Sequence, residues 1–431
     1  MVIIVGLLGG DKLIVGYDLG DEYSQISVAV SGKDEVETLS LVAGAESYNI
    51  PTVLCKRNGV NQWLYGREAV RCAEEGQGIL VEHLLALALD GEPVIIEGES
   101  FEPAALLALF FKRSLGVLAQ AGPTDRIEAL MITCETFDRR LFEVLEDIVA
   151  RIRLVGVKIT FQSYTESYYT YMIHQPEELW VQQSVLFYYQ GSRIKVYCME
   201  CNRRTIPVAV FIEECEYPFT QWTGLPEEEE ERGSRMEELD SAFLAVAQEF
   251  CNSKTIRSVY LIGDGFSEEW MKKSLRYLCR DRRVFQGNNL FSKGACYGMQ
   301  ERLNVSEIGK RHVFLGNDKL KANVGMNILR QGEESYYALL DAGSSWYEAG
   351  YSTEIYIQDG SVITLVITPL TGGDTRTEDI ALEDFPGSIA RVRMQLRMED
   401  EEKLLVEILD LGFGGFRSSS GRVWRKEIVL Y

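Results

Sequence analysis

Cysteine and histidine are the residues of this chain whose spacing could indicate metal or nucleophile chemistry. The chain has nine cysteines and three histidines, and Cys198 and Cys201 form its one CxxC pair. A structural zinc site needs a second ligand pair at similar spacing, and none follows. No Ser or Cys stands in a recognisable nucleophile elbow. The sequence therefore favours neither a zinc site nor a hydrolase triad.

Charge and composition limit the partners and the compartment. The 431 residues include 44 basic and 65 acidic residues, a formal charge of −21. Such a surface repels nucleic acid and anionic membranes. The apolar start, residues 1–8, is too short to span a bilayer, lacks a basic flank and predicts a first strand. Scattered cysteines in odd number are typical of a reducing compartment, so we expect a cytoplasmic protein.

The order of predicted elements divides the chain into three parts. Residues 1–175 contain the pattern of three strands followed by helix, strand, helix, strand and helix. The pattern restarts after Pro176, and residues 176–304 combine paired strands with a helix and a buried strand that ends in a glycine turn. Residues 319–431 contain short alternating segments between Gly, Asp and Ser turns. These segments predict an antiparallel β-sandwich.

Several segments resemble the seventy-kilodalton heat-shock chaperones of the actin-like ATPase superfamily, and they occur in the family's order. "VGYDLGDEYSQISV" resembles the first phosphate loop, and "SVYLIGDGFSEEWMKKSL" resembles the adenosine strand and turn. "IALEDFPGSIARVRMQLRMEDEEKLLVEILDLG" is similar to the second half of the peptide-binding sandwich. The resemblance implies a duplicated ribonuclease H-like fold, with actin-like lobes at 1–175 and 176–304, followed by a β-sandwich at 319–431. We expect no helical lid.

The resemblance also implies a nucleotide site. In that family glycine loops and Thr hydroxyls hold the phosphates, two carboxylates position magnesium, and a Lys and a Glu assist the attack. Asp18 would help position the metal if a nucleotide binds. The residues that the resemblance places at the nucleotide are Asp18, Gly20, Asp21, Glu22, Gly191, Gly263, Asp264 and Gly265.

Four departures from the family pattern argue against ATP hydrolysis. Asp21 and Glu22 replace the two threonines of the first loop. Either these carboxylates point at the phosphates, at about 4 kcal/mol for a like-charge contact at ~4 Å and an effective dielectric of ~20, or they are polar residues of a surface hairpin turn. Tyr189 stands where the second metal-positioning carboxylate would be. The Lys has no counterpart, and the interval 191–263 is too short for the family's extra adenine-side subdomain.

Two further sets of residues each have two interpretations. Glu166 matches the water-orienting Glu of the family, or it helps begin a helix with Thr165 as the N-cap. Tyr336, Tyr337 and Trp346 resemble residues that line the family's peptide groove. Alternatively, these aromatic side chains pack inside the sandwich, as aromatic residues of strands usually do.

These observations favour a chaperone-like protein that acts by binding a protein or a peptide. We expect ATP hydrolysis to be lost and no cofactor to be needed. One alternative is an ATP-binding chaperone-like ATPase with altered phosphate loops, which would require Mg-ATP. The other is an actin-like assembly protein, which only the analogy of fold supports.

Overall fold

The structure is a computed structural model that describes residues 12–42, 44–358, 361–385 and 389–431. The chain divides into two compact units. The first runs to Cys201 and resumes over Ile212–Gly309, and the second combines Asn202–Phe211 with Lys310–Tyr431. The strand predicted at residues 1–8 lies outside the described residues. In the described part of the chain, no helix is both long and apolar enough to cross a membrane.

Strands and helices are mixed, which confirms the predicted α/β content. The strands are, in chain order, β1 (Leu13–Leu19), β2 (Tyr23–Val30), β3 (Val36–Thr38), β4 (Ile50–Pro51), β5 (Leu54–Arg57), β6 (Trp63–Tyr65), β7 (Gly78–Val81), β8 (Val94–Ile96), β9 (Glu99–Phe101), β10 (Ile127–Cys134), β11 (Lys158–Ser163), β12 (Gln183–Gln190), β13 (Arg193–Asn202), β14 (Val208–Pro218), β15 (Ile256–Ile262), β16 (Arg283–Gly287), β17 (His312–Phe314), β18 (Ala322–Arg330), β19 (Glu333–Leu340), β20 (Gly350–Gln358), β21 (Val362–Pro369), β22 (Arg376–Ala381), β23 (Ile389–Met398), β24 (Lys403–Gly412) and β25 (Val423–Val429). The α-helices are α1 (Gly66–Glu74), α2 (Leu84–Asp90), α3 (Pro103–Ser114), α4 (Arg139–Ile152), α5 (Tyr164–Ile173), α6 (Glu229–Cys251), α7 (Lys273–Leu278), α8 (Leu290–Leu303) and α9 (Glu307–Arg311).

Two sheets of the first unit have the same strand order. In the first sheet the order is β11-β10-β1-β2-β3, with β1 antiparallel to β2 and parallel to β10. In the second sheet the order is β16-β15-β12-β13-β14, with β12 antiparallel to β13 and parallel to β15. Parallel neighbours need crossover connections, and α3, α4, α6 and α7 lie in those connections. The leading strand of each sheet, β1 or β12, is therefore central, and its carboxyl end lies beside that of a parallel neighbour.

Strand β1 is buried along its whole length, and its period of two divides its side chains between two layers. On one face the Tyr17 hydroxyl bonds the Ser114 hydroxyl of α3 at 2.6 Å. On the other face the backbone at Gly16 meets α8 so closely that a Cβ atom would lie 2.2 Å from the carbonyl oxygen of Ser292. Asp18 shares the face of Gly16, at the end of the strand.

Helix α4 begins at a side-chain cap and buries one face. The Asp138 carboxylate accepts a hydrogen bond from the backbone N–H of Leu141 at 2.8 Å. Leu141, Leu145 and Ile148 follow at helical spacing and are buried. The cap and the apolar spacing together explain why the helix starts here and which side faces the sheet.

Removing this cap is expected to weaken the first unit measurably. Asp138→Ala should lower the free energy of unfolding by about 1 kcal/mol, because one N–H group at the helix start loses its acceptor. Asp138→Ser keeps an acceptor and should retain most of that stability. Urea denaturation of both variants tests this, and equal stability of Asp138→Ala and the unchanged protein would contradict it.

The second unit is built mainly from two four-stranded antiparallel sheets. Their orders are β19-β18-β21-β22 and β20-β23-β24-β25. Strand β23 alternates between buried and exposed residues, as expected for a sheet with one face in a core. The short strand β17 pairs with Val208–Val210 at the start of β14. The described residues of 319–431 contain no helix, in line with the alternating pattern of the sequence.

Candidate functional site

A cleft lies where β1, β10, β12 and β15 end in the first unit. Its volume is about 350 Å³, within the range of about 300–1,000 Å³ that is usual for small-molecule sites. Parallel strands present their carboxyl ends at one sheet edge, so the turns that follow them converge here. The predicted site residues that line the cleft are Asp18, Gly20, Asp21, Glu22, Gly263 and Asp264.

The two remaining predicted glycines do not line the cleft. Gly191 forms the turn between β12 and β13 with φ +60°, and nothing lies within 4 Å of the position of a Cβ atom. Its neighbours Gln190 and Arg193 line the cleft instead. Gly265 lies under the ring of Tyr189, where a Cβ atom would come within 2.0 Å of Cδ1. Gly265 therefore makes room for a core side chain.

Asp18 is the most buried carboxylate of the cleft, with 7% of its surface exposed. The Tyr164 hydroxyl donates a hydrogen bond to Oδ1 at 2.6 Å. The second oxygen, Oδ2, has no hydrogen-bond partner among the described residues. Burial raises the pKa of Asp18 to about 7, which the Tyr164 hydrogen bond opposes and the nearby Glu135 reinforces. Asp18 therefore changes its charge near neutral pH.

Asp21 and Glu22 are both engaged by protein groups. Asp21 accepts from the backbone N–H of Ala86 at 3.0 Å, in the first turn of α2, and lies 2.7 Å from Nδ1 of His83. This hydrogen bond raises the pKa of His83. The Glu22 carboxylate accepts a hydrogen bond from Nε2 of Gln190. The carboxylate of Asp21 thus fixes α2 against the β1–β2 turn.

Strand alternation in β12 puts Tyr188, not Tyr189, at the cleft. Tyr189 is fully buried, and its hydroxyl donates to the carbonyl oxygen of Thr220 at 2.6 Å. Its ring packs on Phe266 on the far face of the sheet, with centroids 5.6 Å apart. Tyr188 and Gln190 point to the opposite face. The predicted placement of Tyr189 at a metal-positioning site is wrong, because successive side chains of a strand point to opposite faces of the sheet.

Three aromatic rings form one wall of the cleft, and the sequence did not single them out. Tyr164 stacks on Phe291 with centroids 3.8 Å apart and 10° between the planes. Tyr188 meets Phe291 edge-on at 5.4 Å. Tyr164 follows β11 directly and Phe291 lies in the first turn of α8. In the sequence, their positions at the ends of predicted elements were the one feature that could have indicated these residues. Only the tertiary structure brings them together.

In the described lining of the cleft, Arg193 is the one residue of the Lys or Arg type, and its charge is already neutralised. Its guanidinium donates to both oxygens of Glu135, at 2.8 and 3.0 Å. The same carboxylate lies 2.6 Å from Nζ of Lys195. Glu135, the first residue after β10, was also missed from the sequence. Nη1 of Arg193 also donates to Glu216 at 3.2 Å, so two carboxylates balance the charges of Arg193 and Lys195 and leave no unpaired Lys or Arg in the described lining of the cleft.

Four carboxylates of the cleft have no Lys, Arg or His partner among the described residues: those of Asp18, Glu22, Asp138 and Asp264. Asp264 accepts a hydrogen bond from Nδ2 of Asn49 at 3.2 Å. Burial raises the pKa of Asp264, and the charge of Glu22 adds to this shift, while hydrogen bonds from Gln190 and Asn49 oppose it. The cleft is therefore an acidic and partly aromatic site.

Glu166 lies in α5 and is not part of the cleft lining. Its carboxylate is 3.6 Å from a guanidinium nitrogen of Arg302. The N-cap of α5 is Ser163, whose hydroxyl accepts from the backbone N–H of Glu166 at 3.3 Å. The prediction that Thr165 is the cap is wrong, because the helix begins two residues earlier.

The predicted peptide-groove residues lie in different surroundings within the second unit. Trp346 is buried, with 6% of its surface exposed. The Tyr337 and Tyr351 hydroxyls are 2.5 Å apart, joining β19 to β20. Tyr336 is half exposed, and its ring covers Gly325 of β18. Of the three, Tyr336 alone presents a large face to solvent.

The cysteines are all free thiols. Cys198 is buried, and burial raises its pKa to about 12, while Cys201 is half-buried. Among the described residues, no group of three or more His, Cys, Asp or Glu side chains is arranged to hold a metal ion.

Two family models match the chain, and they meet near the boundary of its units. Residues 319–430 match a domain of unknown function, DUF8552. No curated protein matches the chain. Residues 35–317 match the C-terminal model of a family of unknown function, DUF5716. Because this match covers more than half of the residues, the chain belongs to the DUF5716 family.

Proposed function

We propose that the chain is a binding protein on a heat-shock chaperone-like framework, with a cleft that does not hydrolyse ATP. Its first unit would be a duplicated ribonuclease H-like fold of the actin-like kind. The repeated strand order of the two sheets and the cleft at the ends of β1 and β12 support this assignment. Its partner would be a protein or a peptide, and the two antiparallel sheets of the second unit are the candidate surface.

The charge of the cleft is the observation that carries the proposal. A polyphosphate would meet Asp18, Glu22 and Asp264, which lack basic partners in the described chain. Arg193 is already held by Glu135. At ~4 Å and an effective dielectric of ~20, each carboxylate–phosphate contact costs about 4 kcal/mol. The residues present therefore do not fit the phosphates of a nucleoside triphosphate.

The loop that would carry the family's Lys supports the same conclusion. The segment from β7 through α2 reaches the cleft with Leu85 and Leu89, two apolar side chains. His83, at the start of α2, is bound to Asp21. None of these side chains supplies a mobile ammonium group to the cleft, so a positive charge for phosphoryl transfer is missing at this position.

The test is thermal denaturation of the full chain with ATP or ADP and magnesium. We expect the melting temperature to match that in magnesium chloride alone at equal ionic strength. A ligand at ~100 times its dissociation constant would add ~2.7 kcal/mol of stability. A clear rise in melting temperature with nucleotide, together with phosphate release, would overturn the proposal.

A further inference from the structure

The buried carboxylate of Asp18 has an unused acceptor that faces the cleft. Tyr164 occupies Oδ1, while Oδ2 has no partner among the described residues. The side chain is 93% buried, since only 7% of its surface is exposed. Because protein atoms do not enclose this oxygen, it can accept a hydrogen bond from a ligand in the cleft. Asp18, the most buried carboxylate of the cleft, therefore offers a free acceptor there.

Glu22 and Asp264 are held at the cleft by amide groups rather than by cations. Gln190 donates to Glu22, and Asn49 donates to Asp264. The amide of Asn49 is itself fixed, because its Oδ1 accepts from Gln25 at 2.6 Å. Amide donors orient a carboxylate but bring no charge. Both carboxylates are thus preorganised, and no Lys, Arg or His among the described residues pairs with them.

The aromatic wall of the cleft is suited to the same kind of ligand. The rings of Tyr164, Tyr188 and Phe291 line the cleft together with these carboxylates. The face of an aromatic ring attracts an ammonium or guanidinium group within about 6 Å of its centroid. Carboxylates and aromatic faces together favour an organic cation, and the alkyl part of such a ligand can contact the rings.

We infer that the cleft binds a small organic cation with at least two amino or guanidino groups, received by Asp18, Glu22 and Asp264. The cleft volume of about 350 Å³ suits a molecule of this size. The inference rests on the proposed function, because a nucleotide and an organic cation would have to occupy the same cleft. It names a ligand class that the binding proposal leaves open.

The first experiment is calorimetric titration of the full chain with spermidine and with agmatine at fixed ionic strength. We expect saturable binding of at least one of the two. Glu22→Gln and Asp264→Asn should each weaken it about tenfold, the loss of one charge-assisted hydrogen bond. Glu146→Gln is the control, because Glu146 is exposed on α4 and its substitution removes the same charge outside the cleft. Circular dichroism establishes that each variant is folded.

The second experiment measures the same binding against pH. The titratable side chains that interact electrostatically with Asp18 are Tyr17, Cys134, Glu135, Tyr164 and Tyr188. Asp18 gains its charge as the pH rises through about 7. Binding of agmatine, whose guanidinium stays protonated, should therefore tighten between about pH 6 and pH 8. This pH dependence should be absent in Asp18→Asn.

Three results would overturn the inference. One is the absence of binding for both cations at millimolar concentration. Another is equal weakening in Glu146→Gln and Asp264→Asn, which would indicate attraction to the surface charge alone. The third is binding of magnesium alone that the cations do not displace. If neither the cations nor ATP bound, the proposed function would stand without this inference. Binding of Mg-ATP would contradict both the proposed function and the inference.

Discussion

Replacing Gly16 with alanine is expected to lower the free energy of unfolding by about 3 kcal/mol or more. The added Cβ atom would lie 2.2 Å from the carbonyl oxygen of Ser292, and 2.3 Å from the backbone nitrogen of Cys296. Both atoms belong to the backbone of α8, so no side-chain rotation relieves the contact. The helix must move away from β1, and the cleft wall at Phe291 moves with it. Urea denaturation measures the loss.

Gly233 provides the matched control for this substitution. It lies within α6, and nothing is found within 4 Å of its Cβ position. Gly233→Ala should stabilise the protein by up to about 1 kcal/mol, because alanine is the better helix former. The same chemical change should thus have opposite signs at the two sites. Equal stability of Gly16→Ala and the unchanged protein would show that α8 does not pack on β1 as described.

Replacing Asp410 with asparagine is expected to destabilise the second unit by about 3 kcal/mol. Asp410 is fully buried and accepts hydrogen bonds from Arg417 at 2.5 and 3.0 Å. It also accepts from the backbone N–H and the hydroxyl of Ser420, at 2.9 and 2.7 Å. Asparagine would leave the guanidinium without its counter-charge. Hydrogen exchange of β24 and β25 in the full chain should report the loss directly.

Lowering the pH should reveal the same contribution of Asp410 to stability. Burial would raise the pKa of Asp410, but the hydrogen bonds from Arg417 and Ser420 outweigh burial and hold the pKa well below its usual range. A carboxyl with a lowered pKa stabilises the fold above its unfolded value of ~3.9 and loses this effect as the pH falls below it. The difference between the unchanged protein and Asp410→Asn should therefore shrink below about pH 4.

The control for Asp410 is the same substitution at an exposed position. Asp374 lies exposed in the turn between β21 and β22. Asp374→Asn should change stability by less than about 0.5 kcal/mol. If both variants lost stability equally, or if Asp410→Asn did not change stability at neutral pH, the buried network of Asp410 would not stabilise the second unit.

The sequence by itself determined the mixed architecture and the approximate place of the cleft. Apolar runs that end in Asp18 and in Gly263-Asp264 predict buried strands followed by turns. Because strand order in such sheets brings carboxyl ends together, those turns converge in one cleft of the first unit. The chaperone resemblance, with Asp21 and Glu22 in place of two threonines and no counterpart for the Lys, likewise predicted a site poor in positive charge. Local pattern was sufficient for the strands and turns themselves, because each depends on residues close in the chain.

Only the tertiary structure decided what the cleft residues contact. Asp21 meets His83 and the backbone of Ala86, more than sixty residues away. Arg193 is neutralised by Glu135 across the cleft. The side of the sheet to which Tyr188 and Tyr189 point depends on the register of β12, and a shift of one residue would exchange them. Contacts between distant segments arise from packing, so the charge left unpaired in the cleft could not be derived from spacing alone.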